Sequence, residues 1–332
     1  MAEVLAEIVR GGRVESVHHG SIAVVDVDGR LVAEAGDPGQ FLYFRSSAKP
    51  FQAIPLVESG AADAFGLTPA EIAICCASHS GTVRHQELVA GLLQKLGLDQ
   101  AALKCGAPFP YDPKTGALVG AGQLPRSPLG CDCSGKHSGM LATCLHLGYP
   151  IDSYLEPDHP LQREILRLIA ELCEIPADEM PIAIDGCSLP TFGARLGDFA
   201  RAWAHLAAPT AHAEALTRLQ AAMVAHPENV AGEGTLDTDL MRAGGASIVA
   251  KTGAEGLICM ALPELGLGVA IRIADGSFRP LRVVVEATLR ALGAADETTL
   301  AAILPTEDRE LRNHNKLLVG EFRATPALRL HA

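Results

Sequence analysis

Apolar and polar positions alternate through the first forty residues. Residues 4–9, 21–27 and 30–34 form short β-prone runs. Gly11-Gly12 and Asp28-Gly29 separate them as turn signals, the second of hairpin type. From Ser47 the spacing turns helical and stays so to residue 59. Thr68-Pro69-Ala70-Glu71 predicts a helix start, with a capping hydroxyl, a proline where no N–H is needed, and a glutamate that can reach back. The apolar run before the turn at 77–81 also has a strand-like look. Further helices are predicted at 83–96, 137–147, 160–173, 192–206 and 211–225. The 160–173 segment aligns Leu161, Ile165, Leu168, Ile169 and Leu172 on one face. Beyond Lys251 the pattern predicts strands at 256–262 and 268–274, then a helix at 282–292. The tail after Leu304 is mixed and predicts no element.

This order is strands, many helices, strands, helix. It predicts an α+β fold in which one antiparallel sheet is made from both chain ends, residues 1–45 and 247–332, and covered by helices. Residues 46–246 form a mainly helical region between them, and 1–332 make a single domain without repeat or linker.

The chain has 332 residues and a net charge of −12. That balance excludes the basic stripe of a nucleic-acid binder. No apolar stretch reaches the length of a membrane span. The N-terminus lacks a basic region followed by an apolar run, so no secretory signal is expected and a cytoplasmic location is. Nine cysteines in that setting are expected to be reduced thiols. Cys75, Cys76, Cys144, Cys173 and Cys259 lie in apolar segments and read as small core residues. Cys131, Cys133 and Cys187 lie in Gly- and Ser-rich turns and are candidate ligands.

Two short motifs carry candidate chemistry. Ser46-Ser47-Ala48-Lys49 is an S-x-x-K tetrad, and Lys251-Thr252-Gly253 is a K-T-G triplet. In that order they are a signature of serine acyl-transfer enzymes built like penicillin-binding proteins and serine β-lactamases. Spacing i to i+3 puts Ser46 and Lys49 on one face of a helix. Pro50 fits if that helix has just begun, since early N–H groups have no intrahelical partner. The helix N-terminus favours developing negative charge at Ser46, and a partly desolvated lysine can take a hydroxyl proton. Taken singly, each motif also has an ordinary reading, as a chance tetrad and as a turn. The absence of an export signal counts against a penicillin-binding protein, which acts outside the cytoplasm.

The segment from Gly130 to His137, G-C-D-C-S-G-K-H, nearly matches a phosphate-binding loop. It fails where His137 replaces the magnesium-binding hydroxyl, and no strand precedes it. It reads better as a metal or anion site. Cys133 and Lys136 share a face if a helix starts there, and Cys187 follows an apolar run and Asp185-Gly186. Two thiolates favour a soft metal such as zinc, whereas two unconnected cysteines in turns is the plainer alternative. Ser78 lies in Ala77-Ser78-His79-Ser80-Gly81, where hydroxyls commonly cap helices. It also falls between the S-x-x-K and K-T-G motifs, the place of the middle serine in a β-lactamase-like site.

Taken together, R-S-x-x-K-P, C-A-S-H-S-G, C-S-G-K-H-S-G-M, D-G-C-S-L-P-T-F and K-T-G-A-E-G resemble the Rhizobium etli-type asparaginases from about Glu7 to Leu292. The resemblance implies hydrolysis of L-asparagine to L-aspartate and ammonia, a fold like serine β-lactamases and glutaminases, and a homodimer. It implies two serine–lysine pairs, Ser46 with Lys49 and Ser78 with Lys251, either serine being the nucleophile. It implies zinc on Cys133, Lys136 and Cys187 with water completing the shell. Arg45, His137 and Asp185 fall on substrate-side positions. The alternatives are a glutaminase or another serine amidohydrolase of the same fold, and a non-catalytic zinc-binding protein.

Overall fold

The computed structural model describes residues 1–331. Its strands are β1 (Glu3–Arg10), β2 (Arg13–Asp26), β3 (Leu31–Ala35), β4 (Phe41–Tyr43), β5 (Ile182–Ile184), β6 (Pro190–Arg195), β7 (Val249–Thr252), β8 (Leu257–Leu262), β9 (Leu267–Ile273), β10 (Glu310–Arg312), β11 (Leu318–Ala324) and β12 (Arg329–Leu330). The chain forms two compact units. One holds residues 1–42, 194–208 and 239–332; the other holds 43–193 and 209–238.

The first unit is built on an antiparallel sheet of order β10-β11-β1-β2-β9-β8-β7, with β3 paired to β2 and to β12. Gly11 and Gly12 both take positive φ, at 55° and 75°, so the β1–β2 turn closes with the twist the strands need. Asp26 closes the next hairpin by accepting the amides of Asp28 and Arg30. Both chain ends enter the sheet: Ile8 of β1 lies opposite Phe322 of β11, and Ile22 of β2 opposite Ile271 of β9. The tail that the sequence pattern left without an element thus supplies β10, β11 and β12. These strands are short and half-exposed, so their apolar alternation is too weak to read.

A helix at Leu196–Ala207 packs on β2, β8 and β9, burying Phe199 and Trp203. Gly268 permits this approach: a Cβ there would lie 1.9 Å from the Ala200 carbonyl oxygen. The helix starts four residues later than the predicted 192–206. Pro190-Thr191-Phe192 instead joins β6, and Asp198 accepts the Arg195 amide at the helix entry. The helix Leu281–Ala291 packs on β1 and β11. The sheet unit therefore draws on 194–208 as well as on the two chain ends.

The second unit is mainly helical. Pro69–Cys75, Ser134–Leu147 and Ala213–Ala225 form its packed centre with Val83–Lys95 and Pro160–Cys173 around them. Residues 69–75 are helical, not a strand. Thr68 and Glu71 form the reciprocal capping box the sequence predicts, and the apolar run simply continues that helix. The predicted helix 47–59 is broken into a 3-10 turn at Arg45–Ala48 and helical turns at Lys49–Gln52 and Ile54–Glu58. Pro50 and Pro55 each lack an N–H and sit at the start of a turn, which interrupts the ladder. In this unit β5 pairs with β6 as a hairpin, Ile182 opposite Phe192 and Ile184 opposite Pro190. Among the described residues no helix is long and apolar enough to cross a membrane.

Candidate active site

Three pieces of the helical unit converge: the turn at 45–49, the turn at 77–81, and the start of the Ser134–Leu147 helix with the β5–β6 hairpin turn. Arg45 begins the first piece in the left-handed region, φ 51°. A non-glycine residue there costs about 1–2 kcal/mol. Its backbone amide donates to Thr191 Oγ1 at 3.2 Å, and its Nε donates to Asp185 Oδ1 at 2.7 Å. These bonds offset the strain and fix the guanidinium. Asp185 sits in the hairpin turn, where its backbone amide bonds Leu189 O and its carbonyl accepts from Ser188. The same turn carries Cys187.

Ser46 and Lys49 follow in the 3-10 turn, with the Lys49 amide bonded to the Ser46 carbonyl. Lys49 is buried, and its Nζ donates to Ser78 Oγ at 2.7 Å. The lysine of the S-x-x-K tetrad therefore meets the middle serine directly. The half-buried Ser46 hydroxyl makes no hydrogen bond among the described residues. Asp132 completes the group, with Oδ2 at 3.6 Å from Lys49 Nζ. Burial opposes the Lys49 charge, but Cys133, Asp132 and Cys187 outweigh it and raise the lysine above its ordinary value.

The turn at 77–81 is held from several sides. Ser78 N bonds Val230 O at 2.9 Å, and His79 N bonds Asp132 O at 3.2 Å. His79 Nδ1 accepts from the Gly81 amide, so its Nε2 donates to Ser134 Oγ at 2.9 Å, and Ser134 in turn donates to Leu129 O. Burial, with the charge of nearby Lys49 and the ring of His85, keeps His79 neutral, well below the usual histidine range.

Cys133 caps the Ser134–Leu147 helix, and the His137 amide bonds its carbonyl. That start places Cys133 and Lys136 on one face, as their spacing predicts. Lys136 Nζ lies 3.1 Å from Cys187 Sγ, and all three side chains are buried. Cys187 is brought down to about 5 by its hydrogen bond with Cys133 and by the Lys136 cation. Cys133 falls to about 7, chiefly through a hydrogen bond with Cys131. Lys136 is raised, because those thiolates outweigh its burial. The donors suit a soft divalent cation. With Zn–S near 2.3 Å and Zn–N near 2.0–2.1 Å, two donors on one zinc lie about 3.5 Å apart. Lys136 and Cys187 are near that spacing, and metal binding would need the lysine proton and the remaining Cys133 proton removed.

His137 accepts a hydrogen bond from Tyr154 Oη at Nδ1, 2.7 Å, while Tyr154 Oη accepts the Lys104 amide. Its Nε2 is buried without a hydrogen-bond partner among the described residues. Burial and the Lys136 charge lower it to about 3, so it is neutral. Lys251 belongs to the sheet unit, on β7 opposite Cys259, and its Nζ donates to the Thr252 carbonyl at 2.9 Å.

The sequence reading missed Asp132, His79 and Tyr154. Asp132 was visible as the one carboxylate inside C-D-C, next to a candidate ligand. His79 and Tyr154 carry no local signal, since their roles come from contacts 55 and 17 positions away.

Among solved structures, a β-lactamase from Mycobacterium bovis is similar with a TM-score of 0.44 and 13% identity, covering 82% of this chain and 94% of that one. Mglu in its native form is similar with a TM-score of 0.41 and 14% identity, over 87% of this chain and 64% of that one, so this chain spans under two thirds of its length. No curated protein matches the sequence. A profile of the L-asparaginase II family matches residues 6–324, and the chain belongs to that family.

Proposed function

We propose that this amidohydrolase of the asparaginase II family cleaves the side-chain amide of L-asparagine through a serine acyl-enzyme. The observation that carries the reading is the 2.7 Å contact between the buried Lys49 Nζ and Ser78 Oγ, with Ser46 three residues before that lysine in the 3-10 turn that Lys49 caps. An amide needs a nucleophile, a stabilised oxyanion and a protonated leaving group. In this reading Ser46 Oγ attacks the amide carbon. Its proton enters the Lys49–Ser78 pair, which requires Lys49 in its neutral form, and is delivered to the departing ammonia. The Ser46 backbone N–H would contribute to holding the oxyanion, since the Arg45 and Ser47 amides bond Thr191 and Phe44. Water then opens the aspartyl ester by the reverse proton path.

Arg45 attracts the substrate α-carboxylate, Asp185 the α-ammonium, and the buried His137 Nε2 offers a hydrogen bond to a polar substrate group. Lys251 supports the serine–lysine chemistry on the strength of its K-T-G motif. Zinc on Cys133, Lys136 and Cys187 would supply fixed positive charge that orients substrate. A homodimer in the cytoplasm belongs to the same reading.

Ser46→Ala and Ser78→Ala test it. Ser46→Ala should abolish ammonia release from asparagine with an unchanged circular dichroism spectrum, and no aspartyl adduct should form on it in a quenched reaction. Ser78→Ala should slow turnover yet still form the adduct at Ser46. An adduct on Ser78 in the parent protein would exchange the two roles. Comparable turnover of glutamine would favour the glutaminase alternative.

A further inference from the structure

We propose that Asp132 is the positioning residue that fixes Lys49 against Ser78, an inference that rests on the serine acyl-enzyme reading above. Asp132 reaches the Lys49 head and the turn that carries Ser78 by different atoms. Its Oδ2 lies 3.6 Å from Lys49 Nζ. Its carbonyl oxygen accepts the amide of His79, the residue after Ser78, at 3.2 Å. One residue thus braces the lysine head through charge and the serine turn through backbone. The His79–Ser134 bond ties the same two turns a second time, just beyond Asp132.

The need for such a brace follows from the lysine stem. Lys49 is fully buried, and its long side chain has several rotatable bonds. An ammonium held only by one neutral hydroxyl could swing toward the thiols of Cys133 and Cys187, whose charge it feels. The carboxylate supplies a fixed counter-charge beside the ammonium, on a residue whose backbone also holds the Ser78 turn. At 3.6 Å it acts as charge and not as a short hydrogen bond, so the ammonium protons stay available to Ser78. The other contacts of the carboxylate are weak thiol donors, Cys131 Sγ to Oδ1 at 3.8 Å and Cys133 Sγ to Oδ2 at 3.5 Å. Those contacts define the competing role: the Asp132 oxygen and the two sulfurs lie within 4.8 Å of one another, close enough to share a metal.

The test compares the parent protein with Asp132→Ala, Asp132→Asn, Lys49→Gln and the Lys49→Gln/Asp132→Ala pair. Three quantities are read: steady-state ammonia release from L-asparagine, the rate of serine labelling by a fluorophosphonate followed by intact mass, and metal content. Asp132→Ala should lower kcat and the labelling rate by about a hundredfold, the cost of a misplacement near one ångström, with KM within about threefold. Asp132→Asn should restore at least about tenfold of that loss, because its amide oxygen still faces the ammonium. In the Lys49→Gln background, Asp132→Ala should cost nothing further. Metal content should be unchanged throughout.

Additive losses, or labelling indifferent to Asp132, would overturn the proposal. So would metal content falling in step with activity, which would make Asp132 a metal ligand. If Asp132→Ala does not fold, the asparagine variant carries the comparison, and an Asp132→Asn protein with parental rates overturns the charge brace. A parent protein that labels but releases no ammonia refutes the asparaginase reading alone, and the labelling series still decides Asp132. A parent protein that does neither overturns both.

Discussion

Arg45 and Asp185, 140 positions apart in the chain, meet in an ion pair of 2.7 Å. Neither charge is left alone in the half-buried turn, and the guanidinium keeps part of its surface open. An amino-acid substrate carries the same two charges on its α-carbon. In the proposed reading it inserts its carboxylate toward Arg45 and its ammonium toward Asp185, leaving no charge unpaired.

If the head of the substrate is pinned in this way, length discrimination becomes strong. Asparagine and glutamine differ by one methylene, worth only about 1–3 kcal/mol in an apolar pocket. In that case the extra methylene would carry the glutamine amide past the serine oxygen, and misplacement of about an ångström costs about a hundredfold. We expect kcat/KM for asparagine to exceed that for glutamine by at least about a hundredfold. Arg45→Lys should raise KM for both by about tenfold or more, the order of one charged hydrogen bond. Coupled-enzyme ammonia assays on both amino acids check both statements.

Lys251 enters through a motif and not through local geometry. Lys251→Met keeps the length of the side chain and removes its charge and donors. If the K-T-G lysine supports the transition state, the variant should lose about 3 kcal/mol or more of kcat/KM, the scale of one key polar group. Near-normal kcat/KM in the folded variant would remove Lys251 from the reaction.

The outlines of this fold were legible where the chain speaks locally. The 160–173 helix shows its buried face in sequence and forms at Pro160–Cys173 as spaced. The capping box at Thr68 outranked the strand-like run after it, because two satisfied amides fix a helix start more firmly than composition fixes a strand. The break at residues 45–58 was half legible. The prolines were in view, but the left-handed Arg45 depends on Thr191 and Asp185, far along the chain. At the site, the S-x-x-K spacing drew attention to Lys49, and the structure places that lysine's Nζ against Ser78. The segment opens as a 3-10 turn, in which i and i+3 side chains still share a face, and the long lysine stem reaches Ser78, a contact that no local spacing shows. Asp132 was overlooked because its value lies in what folds against it, not in its spacing.

The thiol–amine cluster predicts a pH dependence for metal binding. Coordination needs thiolates and a neutral amine. Cys187, at about 5, is already a thiolate at neutral pH, whereas Cys133, at about 7, is half-protonated there. Protons therefore return to Cys133 first and to Cys187 next as pH falls from 7 to 5, and each return opposes the metal. Lys136, raised above its ordinary value, must release a proton on binding throughout that range. Elemental analysis should give about one zinc per chain after dialysis at about pH 8 and markedly less at about pH 5. Cys187→Ser should reduce the content at both. Full zinc in a Cys133→Ser, Cys187→Ser double variant would place the metal elsewhere.

Gly135 stands between two candidate ligands, in the position that gives the segment its phosphate-loop look. Its reason is packing. The Ser134–Leu147 helix crosses the Pro69–Cys75 helix so closely that a Cβ on Gly135 would lie 2.1 Å from the Ile74 carbonyl oxygen. The obstacle is backbone, which cannot turn aside as a side chain can. Gly135 has an ordinary helical φ, so the cost of alanine is steric and not conformational. Gly135→Ala gains helix propensity of about 1 kcal/mol but must push two helices apart. Overpacking of this kind costs about 1–3 kcal/mol and occasionally more. We expect a net loss of about 2 kcal/mol in urea unfolding. Because Cys133 and Lys136 ride on the displaced turn, zinc affinity should fall with it. A Gly135→Ala protein with parental midpoint and zinc content would show that the two helices can part without disturbing the ligands.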